Sequence, residues 1–275
     1  MTRPYLFSPI RIGSIEVENR VVLAPVDVGL HGPNGEVTDR YIDFLLDRAH
    51  GGTGLLITEF TSVVPEKRVI TTSVWDDRFI PGLARIADAV HKVGPPIFLQ
   101  IAALGGKSYV EPSAPSAVDS ELYEQVPREM TIDDIERMVE SFVAGARRAQ
   151  KAGFDGVEYH CAHSYLAGQF ISPHTNRRDD AYGGDFERRM KFGADVVSGI
   201  RQVCGDAFPI GLKFSAHEHL HGGVNDRYDE GEGDGLHLRV AEFMEAQGVA
   251  YLHVATTSST LMRVKGFVEC THPSV

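Results

Sequence analysis

The segment that decides the fold covers residues 131–165 and reads TIDDIERMVESFVAGARRAQKAGFDGVEYHCAHSY. Thr131 and Asp134 have the spacing of a capping box, and apolar residues then recur at helical spacing as far as Ala146. After Gly153 comes a short β-prone run over Gly156 to His160. A long amphipathic helix followed by a short strand is one α-to-β step of a parallel sheet, whose strands must return through helices packed outside it.

The same alternation extends along the chain in both directions. It predicts strands near Arg20 to Val26, Gly54 to Glu59, Pro96 to Ile101, Gly156 to His160, Ile210 to Ser215 and Ala250 to Ala255. It predicts helices at Thr38 to His50, Phe79 to Val93, Thr131 to Gly153, Phe186 to Val203 and Leu236 to Gln247. Pro9 to Val17 forms two short alternating runs about a Gly-Ser turn, which indicates a hairpin across the bottom of a barrel.

Six β/α units in succession predict an α/β fold, the (β/α)₈ TIM barrel. A closed barrel of this kind needs eight strands and about 250 residues. We therefore expect one domain over residues 1–275 that is truncated before strands seven and eight, or a barrel that a partner chain completes.

Composition excludes several classes of protein. The chain has 275 residues, 43% of them hydrophobic, and a formal net charge of −11, which argues against a nucleic-acid surface. Its three cysteines form no Cys-x-x-Cys pair, so disulfides are not expected. Without an apolar run of about 20 residues or a signal sequence, we expect a cytoplasmic protein, homo-oligomeric or paired with another chain, that acts on small molecules.

Three proton-handling side chains follow the fourth strand: His160, His163 and Tyr165. A strand end is where a scaffold presents such groups to a ligand. Two alternatives stay open: structural histidines, or part of a metal site. The metal is the weaker one, because zinc needs three or four ligands and no third is suggested. A second group, His217, His219 and His221, indicates either a metal or gating role or a solvated loop.

The run from His160 to Gly184 resembles the Old Yellow Enzyme family, in the branch of 2,4-dienoyl-CoA reductase and trimethylamine dehydrogenase. Phe7-Ser8-Pro9 and the segment Asn19 to Pro25 extend the resemblance toward the N-terminus. It implies an FMN-binding barrel with NAD(P)H as electron donor. A [4Fe-4S] cluster and FAD are implied only if a downstream region exists. A dinucleotide motif Gly-x-Gly-x-x-Gly is absent from the sequence.

The resemblance also implies the reaction: hydride passes from reduced flavin to the activated C=C bond of an enone or enoyl thioester. His160 and His163 would hydrogen-bond the substrate oxygen, and Tyr165 would donate the proton. Ser164 stands where the family usually has Gly. Two alternative functions stay open: a flavin-dependent amine dehydrogenase of the trimethylamine dehydrogenase type, and a non-catalytic subunit of a flavoprotein complex.

By the same resemblance, six residues would bind the flavin: Ala24, Pro25, Val26, Asp27, Gln100 and Lys213. Asp27 occupies the position near the reactive edge that is usually Thr or Cys, and the alternative is that it faces solvent. Lys213 replaces the usual Arg and would face the pyrimidine edge, unless it is a surface lysine. Ala103 replaces a usual His. Arg177, Arg178 and Asp179 are predicted to stabilise the loop after the fourth strand through ion pairs.

Overall fold

The main sheet of the described residues has six strands, all parallel, and helices connect its strands. The computed structural model describes residues 5–120, 122–218 and 235–257, with the backbone alone at 217, 218, 256 and 257. The order of the strands in the sheet is β10-β9-β8-β5-β4-β3. Strands that follow one another along the chain are therefore neighbours in the sheet, which is the arrangement of successive units in a (β/α)₈ barrel.

The strands are β1 (Ile10–Ile12), β2 (Ile15–Val17), β3 (Val22–Leu23), β4 (Leu55–Ser62), β5 (Ile97–Ala102), β6 (Ser113–Ala114), β7 (Arg128–Glu129), β8 (Gly156–Cys161), β9 (Ile210–Glu218) and β10 (Tyr251–Thr257). The helices are α1 (Asp39–His50), α2 (Ile80–Val93), α3 (Ile132–Lys151), α4 (Leu166–Ile171), α5 (Phe186–Cys204) and α6 (Leu236–Ala246). None of these helices is long and apolar enough to cross a lipid bilayer.

All six predicted strands of the sheet are confirmed, and the first one is shorter than predicted. β3 pairs with β4 only at Val22 and Leu23. The chain leaves the ladder at Ala24, next to Pro25, which has no N–H to give to a neighbouring strand. The residues from Ala24 to Asp27 are thus a segment beyond the strand end.

The predicted helices are confirmed, and their ends show the local causes. The Thr131 hydroxyl accepts the N–H of Asp134, and the Asp134 carboxylate accepts the N–H of Thr131, which is the predicted capping box. Helix α1 is capped at its start by Thr38 and is followed by Gly52, whose φ of +84° lies in the left-handed region. These caps fix where each helix turns back toward the sheet.

The N-terminal hairpin closes the bottom of the sheet as predicted. β1 and β2 are antiparallel, and Val17 packs against Leu55 and Phe98 from the interior of the sheet. The Ser14 hydroxyl donates to the carbonyl of Ala207, just ahead of β9. The bottom is therefore filled by side chains, so a ligand site is confined to the opposite, carboxyl end of the strands.

Two features were not predicted from the sequence. Helix α4 directly follows Tyr165, and the loop 111–127 contributes β6, which pairs with β7. The predicted ion pair of the loop after β8 forms between Arg178 and Asp180, with Arg178 Nη2 2.5 Å from Asp180 Oδ2. Arg177 donates instead to the carbonyl of His174. The prediction that Arg178 stabilises this loop through an ion pair is thus confirmed.

Candidate active site

A row of polar side chains crosses the inner face of the sheet near its carboxyl end. Gln100 on β5 is in register with Glu158 on β8, which is in register with Gly211 on β9, and Gly211 with Tyr251 on β10. We call Gln100, Glu158, Gly211 and Tyr251 the lower row. Side chains two residues apart on a strand share a face, so the next inward positions form a second row above it.

That upper row consists of His160, Lys213 and His253, which are in register across β8, β9 and β10. His160 is 2% exposed and Lys213 is 6% exposed. The surface-lysine alternative for Lys213 is therefore excluded. A buried ammonium among inward-facing side chains is a fixed positive charge at the carboxyl end of the sheet.

Glu158 is the centre of the lower row. Its side chain is fully buried, with Oε1 accepting from Gln100 Nε2 at 2.6 Å and Oε2 accepting from the Tyr251 hydroxyl at 2.8 Å. Nδ1 of His253 lies 3.0 Å from the same Oε2. Groups on β5 and β10 are thus held by one carboxylate on β8, and they satisfy its buried oxygens as a buried charge requires.

Gly211 makes this contact between β8 and β10 geometrically feasible. A Cβ atom at Gly211 would lie 2.1 Å from Tyr251 Cζ and 2.4 Å from its hydroxyl oxygen. The phenol of Tyr251 therefore lies across β9 at the position of the missing side chain and reaches Glu158 on the far strand. Any larger residue at 211 would occupy the space of the phenol.

His160 and His163 are joined by a hydrogen bond whose direction follows from the backbone. The N–H of Ala162 donates to Nδ1 of His160 at 3.1 Å, so that nitrogen carries no proton. A neutral His160 must then carry its proton on Nε2, which lies 3.2 Å from Nδ1 of His163. His163 accepts there, so its own proton is on Nε2, on the far side of its ring.

Both imidazoles are held neutral. Burial lowers the pKa of His160 well below its usual value, and His163 and Lys213 add to the effect. Burial lowers the pKa of His163 to about 3, with Lys213 contributing. A neutral pair with fixed tautomers donates from His163 Nε2 without first losing or gaining a proton.

Tyr165 lies against this pair. Its ring centroid is 4.8 Å from that of His160 and 5.4 Å from that of Phe60. Burial, with the charge of Asp27 adding to it, raises the pKa of Tyr165 to about 12, so the phenol keeps its proton at neutral pH. His160, His163 and Tyr165 are therefore brought together, as their spacing indicated.

The turn that carries them has an uncommon backbone. His163 and Ser164 have φ values of +60° and +53°, in the region that favours glycine. Ser164 thus adopts the conformation that a glycine would adopt at that position. The turn is held by the N–H of His163, which donates to the Ser215 hydroxyl at 3.1 Å, and by Lys107 Nζ, which donates to the His163 carbonyl at 3.1 Å.

The segment Ala24 to Asp27 borders the same end of the sheet. Ala24, Val26 and Asp27 are exposed, and Asp27 Oδ1 accepts the N–H of Gly29 at 3.0 Å. The charge of Asp27 acts on the pKa of Tyr165, which places the carboxylate on the Tyr165 side of the sheet end. Asp27 is therefore solvent-accessible, and its charge acts on Tyr165.

Glu59, near the end of β4, is a buried carboxyl group that the sequence analysis did not single out. It is 1% exposed, and Oε1 accepts the N–H of Thr72 at 3.1 Å. Burial raises the pKa of Glu59 to about 7; the N–H of Thr72 opposes this, and the charge of Asp27 adds to it. Near neutral pH this group therefore changes its charge beside the segment that carries Asp27.

We expect the Glu59→Gln variant to gain stability over the wild type as pH rises from 5 to 8. The unfolded carboxyl loses its proton near 4.5 and the folded one near 7. Wild-type stability therefore falls across that interval, by up to about 3 kcal/mol. Urea unfolding at both pH values measures the effect, with exposed Glu140→Gln as the control. A difference that is equal at pH 5 and pH 8 would contradict the assignment.

No group of three or more His, Cys, Asp or Glu side chains is arranged to hold a metal ion within residues 5–120, 122–218 and 235–257. His219 and His221 lie outside the described residues, as does the side chain of His217. The proposed role of that triplet therefore stays a prediction. His160 and His163 bond to each other in the described structure.

Comparison with protein families matches residues 5–265 to the NADH:flavin oxidoreductase / NADH oxidase family. The chain belongs to this family. An NADH oxidase of Thermoanaerobacter brockii is 40% identical over 92% of this chain and 39% of its own length. A metal reductase of Desulforamulus reducens is 41% identical over 79% of this chain and 33% of its own length. The NADPH dehydrogenase of Listeria monocytogenes serotype 4a is 35% identical over 91% of this chain and 73% of its own length.

Solved structures of family members share the fold. The old yellow enzyme homologue from Zymomonas mobilis has 29% identity and a TM-score of 0.82, covering 92% of this chain and 74% of its own. Morphinone reductase in complex with tetrahydroNAD has 31% identity and a TM-score of 0.80, and the match covers 92% of this chain and 74% of the morphinone reductase chain. A 2-naphthoyl-CoA reductase complexed with 2-naphthoyl-CoA has 27% identity and a TM-score of 0.85, and the match covers 93% of this chain and 41% of the reductase chain.

This chain of the NADH:flavin oxidoreductase family thus spans about two fifths of the NADH oxidase and a third of the metal reductase. The predicted Old Yellow Enzyme resemblance and the barrel fold are confirmed. The sequence analysis missed Glu158, Tyr251 and His253. Polar residues at alternate positions of an otherwise apolar β10, Tyr251 and His253, were the available signal that one face of that strand meets polar partners.

Proposed function

We propose that the full-length protein carrying this chain is an FMN-dependent oxidoreductase of the ene-reductase type, with NAD(P)H as electron donor. Its acceptor is the activated C=C bond of an enone or enoyl thioester. The observation that carries the proposal is the neutral His160–His163 pair with Tyr165 against it. The names of two similar structures support it: one is a morphinone reductase in complex with tetrahydroNAD, and the other is a 2-naphthoyl-CoA reductase in complex with 2-naphthoyl-CoA.

The donor set fits a flavin at the carboxyl end of the sheet. A pyrimidine edge needs an acceptor for its ring N–H and a positive charge near the oxygen that gains electron density on reduction. Gln100 offers an amide oxygen, because its Nε2 is bonded to Glu158, and Lys213 offers a buried cation. In the segment Ala24, Pro25, Val26 and Asp27, which follows β3, every residue is exposed except the half-buried Pro25.

The roles of the remaining residues follow from their chemistry. FMN, when bound, supplies the hydride. The resemblance implied that both histidines would hydrogen-bond the substrate oxygen, but Nε2 of His160 lies 3.2 Å from Nδ1 of His163. His163 Nε2 is therefore the donor that stabilises negative charge on the acceptor oxygen, and His160 fixes its tautomer. One oriented donor in a dry site is worth about 3 kcal/mol. Tyr165, with a phenol that stays protonated, is the proton donor to the adjacent carbon.

Asp27 distinguishes this site electrostatically. A carboxylate near the reactive edge disfavours the build-up of negative charge in the reduced ring, so we propose that it lowers the potential of the bound flavin. Its effect on the pKa of Tyr165 supports its position on that side. The Asp27→Asn variant should therefore have a higher potential of the bound flavin than the wild type.

We place the protein in the 2,4-dienoyl-CoA reductase and trimethylamine dehydrogenase branch. Identity is 40% to the NADH oxidase, of which the chain covers 39%, against 35% to the shorter NADPH dehydrogenase. In this proposal a [4Fe-4S] cluster and FAD are present only if the full-length protein has a further region. Residues outside this chain, or a partner chain, would complete the barrel. A cytoplasmic location and a homo-oligomer complete the proposal.

The test is turnover by the purified full-length protein. We expect NADPH oxidation to depend on added FMN and on cyclohexenone or an enoyl thioester, with a saturated ketone as the matched inactive acceptor. Reduction of a dye by trimethylamine, without enone turnover, would favour the amine dehydrogenase alternative. A protein that binds no flavin and supports neither reaction would overturn the proposal.

A further inference from the structure

Glu158 contacts none of the residues assigned to the acceptor, yet it determines how the lower row is oriented. Its carboxylate is fully buried and receives hydrogen bonds from Gln100 and Tyr251. Both distances, 2.6 Å and 2.8 Å, are short, as expected when the acceptor is a carboxylate. An ionised carboxylate only accepts, so each group that faces it must present a hydrogen.

This requirement fixes the amide of Gln100. A carboxamide has its oxygen and its nitrogen on opposite branches. With Nε2 directed at Glu158 Oε1, the oxygen of Gln100 is directed away from Glu158. Gln100 is 1% exposed, so water does not compete for the amide. The oxygen branch of the side chain therefore offers an acceptor to a group bound beside it.

The same carboxylate compensates the buried cation of the upper row. Lys213 faces the interior two residues beyond Gly211 on β9. Gly211 is itself in register with Glu158. Burial lowers the pKa of Lys213, and the charge of Glu158 opposes that change. No nearer anionic group is available to Lys213 in the described interior rows, whose other members are neutral or basic side chains.

We propose that Glu158 is the positioning residue for the pyrimidine edge of the flavin. It holds the amide oxygen of Gln100 toward the ring and supplies the counter-charge for Lys213. This inference rests on the proposed function, in which FMN binds at this end of the sheet. It gives Glu158 the task of setting the affinity and the potential of the cofactor through Gln100 and Lys213.

The Glu158→Gln variant tests both parts. The new amide keeps one oxygen and gains one NH₂ group, so it can accept from Gln100 or from Tyr251 but no longer from both, and Gln100 is not held in one orientation. We expect the Kd for oxidised FMN to rise at least ~10-fold, about the loss of one buried hydrogen bond. Loss of the negative charge of Glu158 favours the reduced flavin ring. The affinity for reduced FMN should therefore fall less than the affinity for oxidised FMN. A tenfold difference between the two states raises the two-electron potential by about 30 mV.

Two further variants separate positioning from simple damage to the fold. Glu158→Asp keeps the charge and shortens the reach to Gln100, so FMN affinity should fall while the potential stays unchanged. Tyr251→Phe removes one donor to Glu158 without altering charge or the Gln100 contact, so the Kd should stay within about threefold of wild type and the potential within about 15 mV. An unchanged Kd and potential in folded Glu158→Gln, or equal shifts in Tyr251→Phe, would overturn the inference.

A flavin-free measurement distinguishes failure of this inference from failure of the proposed function. In the FMN-free protein, the side-chain NH₂ of Gln100 should give a strongly shifted proton resonance that moves in Glu158→Gln and stays in Tyr251→Phe. If wild type binds no FMN, the proposed function fails regardless of this resonance. If wild type binds FMN but the Gln100 resonance is the same in Glu158→Gln, the positioning role fails alone.

Discussion

Replacing His163 with alanine is expected to lower kcat for enone reduction about 10²- to 10³-fold, the usual effect of removing one oriented donor to a developing oxyanion. The hydrogen bond from His160 leaves the proton of His163 on Nε2, and the lowered pKa keeps the ring neutral. KM should change much less, because the interaction grows as charge develops on the oxygen. Steady-state kinetics of the FMN-loaded full-length protein measures both values.

His163→Asn is the matched control for this prediction. Residue 163 has a φ of +60°, a conformation that asparagine tolerates better than most residues, and its amide keeps an N–H donor. The Asn variant should therefore retain at least ~10-fold more activity than the Ala variant. If His163→Ala stays within threefold of wild type while flavin remains bound, His163 is not the oxyanion donor.

The Gly211→Ala variant is expected to destabilise the fold by about 3 kcal/mol or more. The added carbon would lie 2.1 Å from Tyr251 Cζ. Tyr251 must then move, and its hydrogen bond to the buried Glu158 is lost. Urea unfolding followed by circular dichroism measures the loss.

Two companion variants identify the cause. Gly193→Ala, on α5, places its new carbon no closer than 3.7 Å to any atom and should change stability by less than about 1 kcal/mol. In the double variant Gly211→Ala with Tyr251→Ala the clash is absent, so its loss should be well below the sum of the two single losses. Additive losses would show that the phenol does not lie across β9.

The repeating pattern of the sequence was sufficient for the layout of the sheet. The strand Pro96 to Ile101 is apolar except at Gln100, because both faces of a parallel sheet are buried. Helix α3 could be predicted from Thr131 onward because its cap is local. Helix α4 was missed because six residues are too few to show a helical period.

The candidate site was predictable where it lies on one segment. His160, His163 and Tyr165 are within six residues, so their proximity follows from a single turn. Glu158, Tyr251 and His253 meet only through the register of β8, β9 and β10, with 93 residues between Glu158 and Tyr251. Sequence spacing does not encode that register. The position of the Tyr251 phenol over Gly211 depends on the register as well.

The central claim is that a neutral imidazole pair, with the donor on His163 Nε2, faces the acceptor beside FMN. Nitrogen-15 NMR of histidine in the FMN-loaded full-length protein tests it directly. Both His160 and His163 should show the neutral Nε2–H tautomer from pH 5.5 to 8, and only the His163 Nε2–H signal should shift strongly on adding cyclohexanone as an unreactive acceptor. A His163 ring that takes up a proton near pH 6.5, or that does not respond to the ketone, would contradict the claim.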